Sequence, residues 1–203
     1  MDSYLLTHSL LSSWLYLMKE NPYEDLTTEF DPMEEFLVTL RREPTTSNEA
    51  MQNGIDFENL VTDITKGYGD LGNRWYEAAE KIARIVQNGS LQHKASKQVS
   101  VSGMDLVLYG RLDALKSGHI YDIKFSKGYD RGKYVSSTQH PVYLELVPEA
   151  QDFTYLISNG SEVWQETYRR EETPSIYPII ADFLQWLEST DLMSLYRAKW
   201  KSL

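Results

Sequence analysis

The chain predicts a mixed α/β fold, a small mixed β-sheet flanked by helices on both faces, and three features lead there. The first 90 residues carry apolar side chains at three- and four-residue spacing; residues 97 to 125 switch to short β-branched and aromatic runs; a helix, a hairpin and closing helices follow. That order suits a sheet covered on both sides. The length of 203 residues fits one domain, with a helical part over 1–90 and the sheet and its helices over 91–203.

Residues 3 to 19 place Leu6, Leu10, Trp14 and Leu17 on one stripe and predict a helix. Asp31-Pro32-Met33-Glu34 starts a short helix, with Pro in its first turn and Glu34 reaching back to the cap. Thr46-Ser47-Asn48-Glu49 reads as a second capping box, opening a helix to about Lys66. A third helix over about 73 to 88 buries Trp75, Ala79, Ile82 and Val86, with Gly89 as its stop. Strands follow at 97–101, 104–115 and 119–125, punctuated by Gly103 and Gly118. A helix is expected over 137–147, a hairpin about Asn159-Gly160, and one or two helices between Ser175 and Lys201.

Composition removes several function classes. There is no cysteine, which excludes disulfides, thiolate zinc sites and iron–sulfur clusters. No stretch of about 18 apolar residues is present, so no membrane span is expected, and the start lacks the basic and apolar regions of a secretory signal. A cytoplasmic location is the resulting expectation. No phosphate-cradling glycine loop and no Ser or Cys nucleophile arrangement is visible. The net charge of −10 conceals a basic stretch: from Arg84 to Lys133 nine basic residues stand against four acidic ones. Such a stretch can meet phosphates on an otherwise acidic protein, or it can be scattered solvated lysines.

The most informative segment runs from Gly110 to Phe125. With Ser117-Gly118 as a two-residue turn, Lys116 faces His119, Asp113 faces Asp122 and Arg111 faces Lys124. Alternation then sets Arg111, Asp113, Asp122 and Lys124 on one face, with Leu112, Ala114, Tyr121, Ile123 and Phe125 on the other. Two ionised carboxylates about 5 Å apart repel by roughly 3 kcal/mol at an effective dielectric near 20. A divalent cation compensates fully, and oxygen ligands suit Mg²⁺ or Mn²⁺. The alternative is a hairpin whose acids are solvated or paired with Arg111 and Lys124.

These residues carry a resemblance. Gly110-Arg111-Leu112-Asp113, Asp122-Ile123-Lys124 and Gln139-His140-Pro141-Val142-Tyr143 resemble, in order, the G-x-x-D, D-x-K and Q-x-x-x-Y motifs of the PD-(D/E)XK nucleases, in the RecB-type and phage exonuclease branch. Gly54-Ile55-Asp56-Phe57-Glu58 is similar to that branch's upstream helical motif, with Glu where many members have His, and Thr7 to Trp14 loosely resembles its entry segment. The missing cysteines set the chain apart from the iron–sulfur members.

The resemblance implies a restriction-endonuclease-like core and a metal-dependent deoxyribonuclease, most naturally an exonuclease in DNA repair, recombination or phage replication. It implies one or two Mg²⁺ or Mn²⁺ ions on Asp113, Asp122, the Ile123 carbonyl and Glu58, with Lys124 positioning or deprotonating the attacking water. Glu58 shares a helix stripe with Met51, Ile55 and Thr62, which would turn it toward the sheet; alternatively it is solvated at the stripe's edge. DNA contacts fall to Arg111, Lys127, Arg131, Lys133, Gln139 and Tyr143, the last two sharing one helix face from which they meet DNA backbone or Lys124, with Tyr129 and Tyr134 available for stacking on bases. Tyr143 is alternatively a core residue, and 127–133 an ordinary basic loop. DNA is the expected partner, with a recombination protein or helicase compatible. The other function class is a non-catalytic DNA-binding or protein-interaction module on the same fold.

Overall fold

The computed structural model describes residues 2–19, 31–45 and 48–202. Among them lie seven α-helices, a short 3₁₀ turn at Arg170–Glu172 and six strands: β1 (Tyr4–Thr7), α1 (His8–Met18), α2 (Pro32–Arg41), α3 (Glu49–Thr65), α4 (Tyr76–Val86), β2 (Ser90–Val101), β3 (Met104–Lys116), β4 (His119–Phe125), α5 (Gln139–Leu146), β5 (Asp152–Ser158), β6 (Val163–Arg169), α6 (Tyr177–Ser189) and α7 (Met193–Lys199). The strands form one mixed sheet in the order β1-β3-β4-β5-β6, with β2 also on β3. β1–β3 and β4–β5 are parallel, while β3–β4 and β5–β6 are antiparallel. The α/β class read from the sequence is the one observed. No helix among the described residues is long and apolar enough to cross a membrane.

Two compact units are interleaved along the chain. One comprises Met1–Thr45, Ser96–Gly110 and Ser175–Leu203; the other comprises Thr46–Ala95 and Arg111–Pro174.

In the first unit, β1 departs from the expected helix over 3–19. Leu5 and Leu6 pair in parallel with Val107 and Leu108, and the Leu5 N–H donates to the Trp200 carbonyl at 2.6 Å. The sheet satisfies backbone groups that a helix would have used, so tertiary pairing overrides the local stripe. Thr7 then caps α1, its Oγ1 accepting the Leu10 N–H. Asp31 caps α2 through the Met33 and Glu34 N–H groups, but Glu34 itself pairs with Arg41 at 3.0 Å. Around Trp14, Phe36, Phe183, Trp186 and Tyr196 a set of edge-on rings fills this unit's core.

In the second unit, Asn48 caps α3 through the Met51 N–H; the expected Thr46 and Ser47 of that box lie outside the described residues. α4 ends at Val86, where Gln87 turns extended (φ −52°, ψ 135°), and the left-handed residue that follows is Asn88 (φ 67°), so the helix stops short of the expected Gly89. α3 and α4 cover one face of the sheet, where Phe57, Leu60, Val61, Ala79, Ile82 and Val86 meet Ala114, Ile123 and Leu156. On the opposite face, the Tyr143 ring of α5 lies against Phe153, and His140 against Phe153 and Tyr155. Helices therefore cover both faces, and β4, at the centre of this unit, carries Asp122 into a buried position while His119 and Lys124 stay half-buried.

Candidate active site

Every residue of the site belongs to the second unit. The Ser117-Gly118 turn forms as expected, with φ of 52° and 79°, the left-handed pair that a two-residue hairpin needs. Its register is Lys116–His119, Leu115–Ile120 and Ala114–Tyr121, as the sequence predicts, and the ladder stops there. Asp113 and Asp122 therefore do not form a ladder pair, nor do Arg111 and Lys124. Instead the Asp113 Oδ2 accepts the Ile123 N–H at 2.7 Å, so a carboxylate takes the place of a strand carbonyl as β3 and β4 part.

Asp122 is 4% exposed. Its Oδ1 accepts from the Gln139 side-chain amide, and its Oδ2 lies 2.9 Å from the half-buried Lys124 ammonium. That contact is an ion pair; Oδ2 has no hydrogen bond of good geometry. Burial works against the Lys124 ammonium, but the charges of Asp122 and Asp113 outweigh it and raise the lysine's pKa. The Asp113 carboxyl is pushed well above the usual carboxylate range, first by burial, then by the charges of Asp122 and Glu58; the Ile123 N–H and Lys124 only partly offset this. The cluster thus has one well-partnered acid, one cation, and a second acid whose ionised form is disfavoured.

Glu58 is half-buried, and its Oε1 accepts from Gln92 Nε2 at 2.7 Å. The expected stripe is corrected: Met51 and Ile55 are 48% and 47% exposed, because α3 turns Phe57, Leu60 and Val61 inward instead. Glu58 follows Phe57 at the edge of that buried face, close enough for its charge to be felt by Asp113. Gly54, whose added Cβ would meet nothing within 4 Å, lies in open space one turn earlier. Gln92 was not foreseen; its left-handed backbone (φ 51°) inside β2 re-aims its side chain, which no sequence pattern announces.

Gln139 and Tyr143 were expected at DNA, but both are buried, at 5% and 4% exposure. Gln139 holds Asp122, and the Tyr143 hydroxyl donates to the Arg111 carbonyl at 3.2 Å. Both brace the site from within, which agrees with the core reading of Tyr143. Arg111, Lys127, Arg131 and Lys133 are exposed. Lys133 Nζ donates to Ser126 Oγ at 2.8 Å. The aromatic residues of this loop are engaged internally: Tyr134 stacks on Tyr155 at 4.3 Å, and Tyr129 lies against Trp164 with its hydroxyl on Glu166. Glu166 also went unnoticed, although alternation in β6 marks it, since Trp164, Glu166 and Tyr168 share the inward parity.

Among the described residues no three His, Asp or Glu side chains come together as a metal-holding group. A cation here would draw chiefly on Asp113 and Asp122. The residues fit one in donor chemistry: both carboxylates offer hard oxygens, and the buried Asp122 Oδ2 is met only by the Lys124 ammonium. No family model matches the chain, and no curated protein matches it. A solved structure described as "Crystal structure of SSO0001" matches 92% of this chain and 78% of its own, at a TM-score of 0.54 and 15% identity. The chain therefore shares its overall fold with a protein of known structure.

Proposed function

We propose that the protein is a metal-dependent deoxyribonuclease that acts on DNA ends, with Asp113, Asp122 and Lys124 at its centre. The observation that carries this reading is the asymmetry of the cluster. Asp122 is held in place by Gln139 and Lys124, while Asp113 is held where its charge is disfavoured unless a cation shares it. A sheet that only needed stability would gain by losing Asp113.

A bound Mg²⁺ or Mn²⁺ supplies Lewis acidity and a water of lowered pKa. Asp113 and Asp122 would hold it, with the Ile123 carbonyl as a further oxygen and Glu58 beside them. Lys124, 2.9 Å from Asp122 at the end of β4, would position the attacking water or donate to a phosphate oxygen and stabilise the charge that grows there. Gln139 fixes the Asp122 carboxylate so that one oxygen stays turned to Lys124. Arg111, Lys127, Arg131 and Lys133 supply phosphate contacts along the strand.

The test is cleavage of end-labelled linear and closed circular DNA with Mg²⁺, Mn²⁺ or EDTA, wild type against Lys124→Ala. Metal-dependent loss of linear DNA, reduced by about 10²-fold or more in Lys124→Ala, with the circle intact, is the expected result. Folded protein that leaves both substrates whole yet retards DNA in a gel would instead make this a binding module.

A further inference from the structure

One carboxylate organises the basic loop. Between β4 and α5 the chain carries Lys127, Arg131 and Lys133, and this segment reaches Glu166 of β6 at three points. The Tyr129 hydroxyl donates to Glu166 Oε2 at 2.6 Å, the Gly132 N–H donates to the same oxygen at 3.2 Å, and the Tyr134 N–H donates to Oε1 at 3.3 Å. From its own strand, the Tyr168 hydroxyl donates to Oε1. Glu166 is 8% exposed, so these four donors replace solvent around a charge that would otherwise be costly to bury. Burial opposes ionisation, yet the donors overcome it and hold the Glu166 carboxyl below the usual glutamate range.

The tether reaches the catalytic cluster. Glu166 stands opposite Tyr155 in the β5–β6 register, and Tyr134 stacks on that Tyr155 ring at an interplanar angle of 19°. The charges of Lys124 and Asp122 are both felt at the Tyr134 hydroxyl. Inside the loop, Lys133 Nζ bridges to Ser126 Oγ, and Gly132 adopts φ 85°, a turn that brings its N–H round to the carboxylate.

We propose that Glu166 is a positioning residue: it fixes the loop so that Lys127, Arg131 and Lys133 present a preformed phosphate-binding edge beside Lys124. The phosphate-binding role of that edge rests on the nuclease reading, whereas the tether stands on the hydrogen bonds alone. An acid that repels DNA in isolation here strengthens DNA binding, because ordering three cations in advance removes the entropic cost of doing so on binding.

Two measurements test this. Trypsin cleaves after Lys127, Arg131 and Lys133, and in Glu166→Ala these cuts accelerate roughly tenfold or more while cuts elsewhere keep the wild-type rate. With DNA, KM rises roughly tenfold while kcat stays within about twofold, and Glu166→Gln recovers part of both changes. If Glu166→Ala does not fold, Tyr129→Phe, which removes one loop tether, shows the same two effects at about threefold. Loop cutting within twofold of wild type overturns the proposal, as does a fall in kcat with unchanged KM. A wild type that neither binds nor cuts DNA, with the loop still released by Glu166→Ala, overturns the nuclease reading and leaves the tether standing.

Discussion

At the scale of single residues, Asp113 sits where the charges of Asp122 and Glu58 both oppose its own, with the Ile123 N–H and Lys124 giving only partial relief. Asp113→Asn keeps an oxygen for the Ile123 N–H and removes the repulsion. In EDTA this variant should be more stable by about 1 kcal/mol, a Tm higher by about 2 to 4 °C. Mg²⁺ should raise the wild-type Tm and leave that of the variant unmoved. A variant that melts lower in EDTA, and still responds to Mg²⁺, would place any metal elsewhere. His140 makes a separate prediction. It is buried against Tyr155 and Tyr168, and burial lowers its pKa from 6.5 to about 4, against a small opposing effect of Glu166. The unfolded chain therefore takes up a proton at this residue before the folded one does. Its contribution to stability is complete above pH 6.5 and is lost as pH falls toward about 4. Thermal melts from pH 7 to pH 4 should fall less steeply for His140→Phe than for wild type, and equal slopes would refute the assignment.

At the scale of elements, the turn between β5 and β6 is tied to the aromatic packing under β4. Gly160 has φ 93°, and a Cβ there would lie 2.4 Å from Trp75 Cδ1. Trp75 in turn packs on Phe125 at 4.7 Å, and Phe125 on Phe57 at 5.1 Å. Gly160→Ala combines a left-handed backbone with a clash against the packed Trp75 ring. It should cost about 3 kcal/mol in urea denaturation, with altered Trp fluorescence. A cost below about 0.5 kcal/mol would mean the turn relaxes away from the ring. Lys124 lies on β4 immediately before Phe125, so this packing also sets where the strand end bearing the lysine stands.

For the molecule as a whole, the net charge of −10 and the surplus of basic residues over 84–133 meet the solvent unevenly. Lys116 is spent on the Ile85 carbonyl at 2.6 Å, Lys124 on Asp122, and Arg84 on Glu80 at 3.0 Å. Among the described residues, the cations facing water on the strand and loop that carry the site include Arg111, Lys127, Arg131 and Lys133. Few phosphate contacts imply a shallow salt dependence, with log K against log salt falling at a slope of about −2 to −4. Fluorescence anisotropy with a labelled duplex between 50 and 200 mM salt would measure it. Arg131→Ala should make the slope shallower by about 1, and a wild-type slope near −8 would require a larger basic surface than this one.

Much of this was legible in the residues themselves. The α/β class, the strands at 104–115 and 119–125, the hairpin at Asn159-Gly160, and the Ser117-Gly118 register all follow from periodicity and turn chemistry, which are local properties. The membership of the acid–lysine cluster was legible from alternation about that turn, but its geometry was not: the ladder ends at Ala114–Tyr121, and Asp113 meets the Ile123 N–H instead of facing Asp122 as a pair. Tertiary structure decided what depends on distant partners. Tyr4–Thr7 is a strand because β3 and Trp200 take its backbone groups, and α3 exposes Met51 and Ile55 because Phe57 and Leu60 meet the sheet. Gln139 and Tyr143 turn inward because α5 packs on a face of β5 already filled with rings. Glu166 and Gln92 acquire their roles from residues 32 to 37 and 34 positions away. Burial and long-range hydrogen bonding are properties of the assembled core, and spacing along the chain carries no record of them.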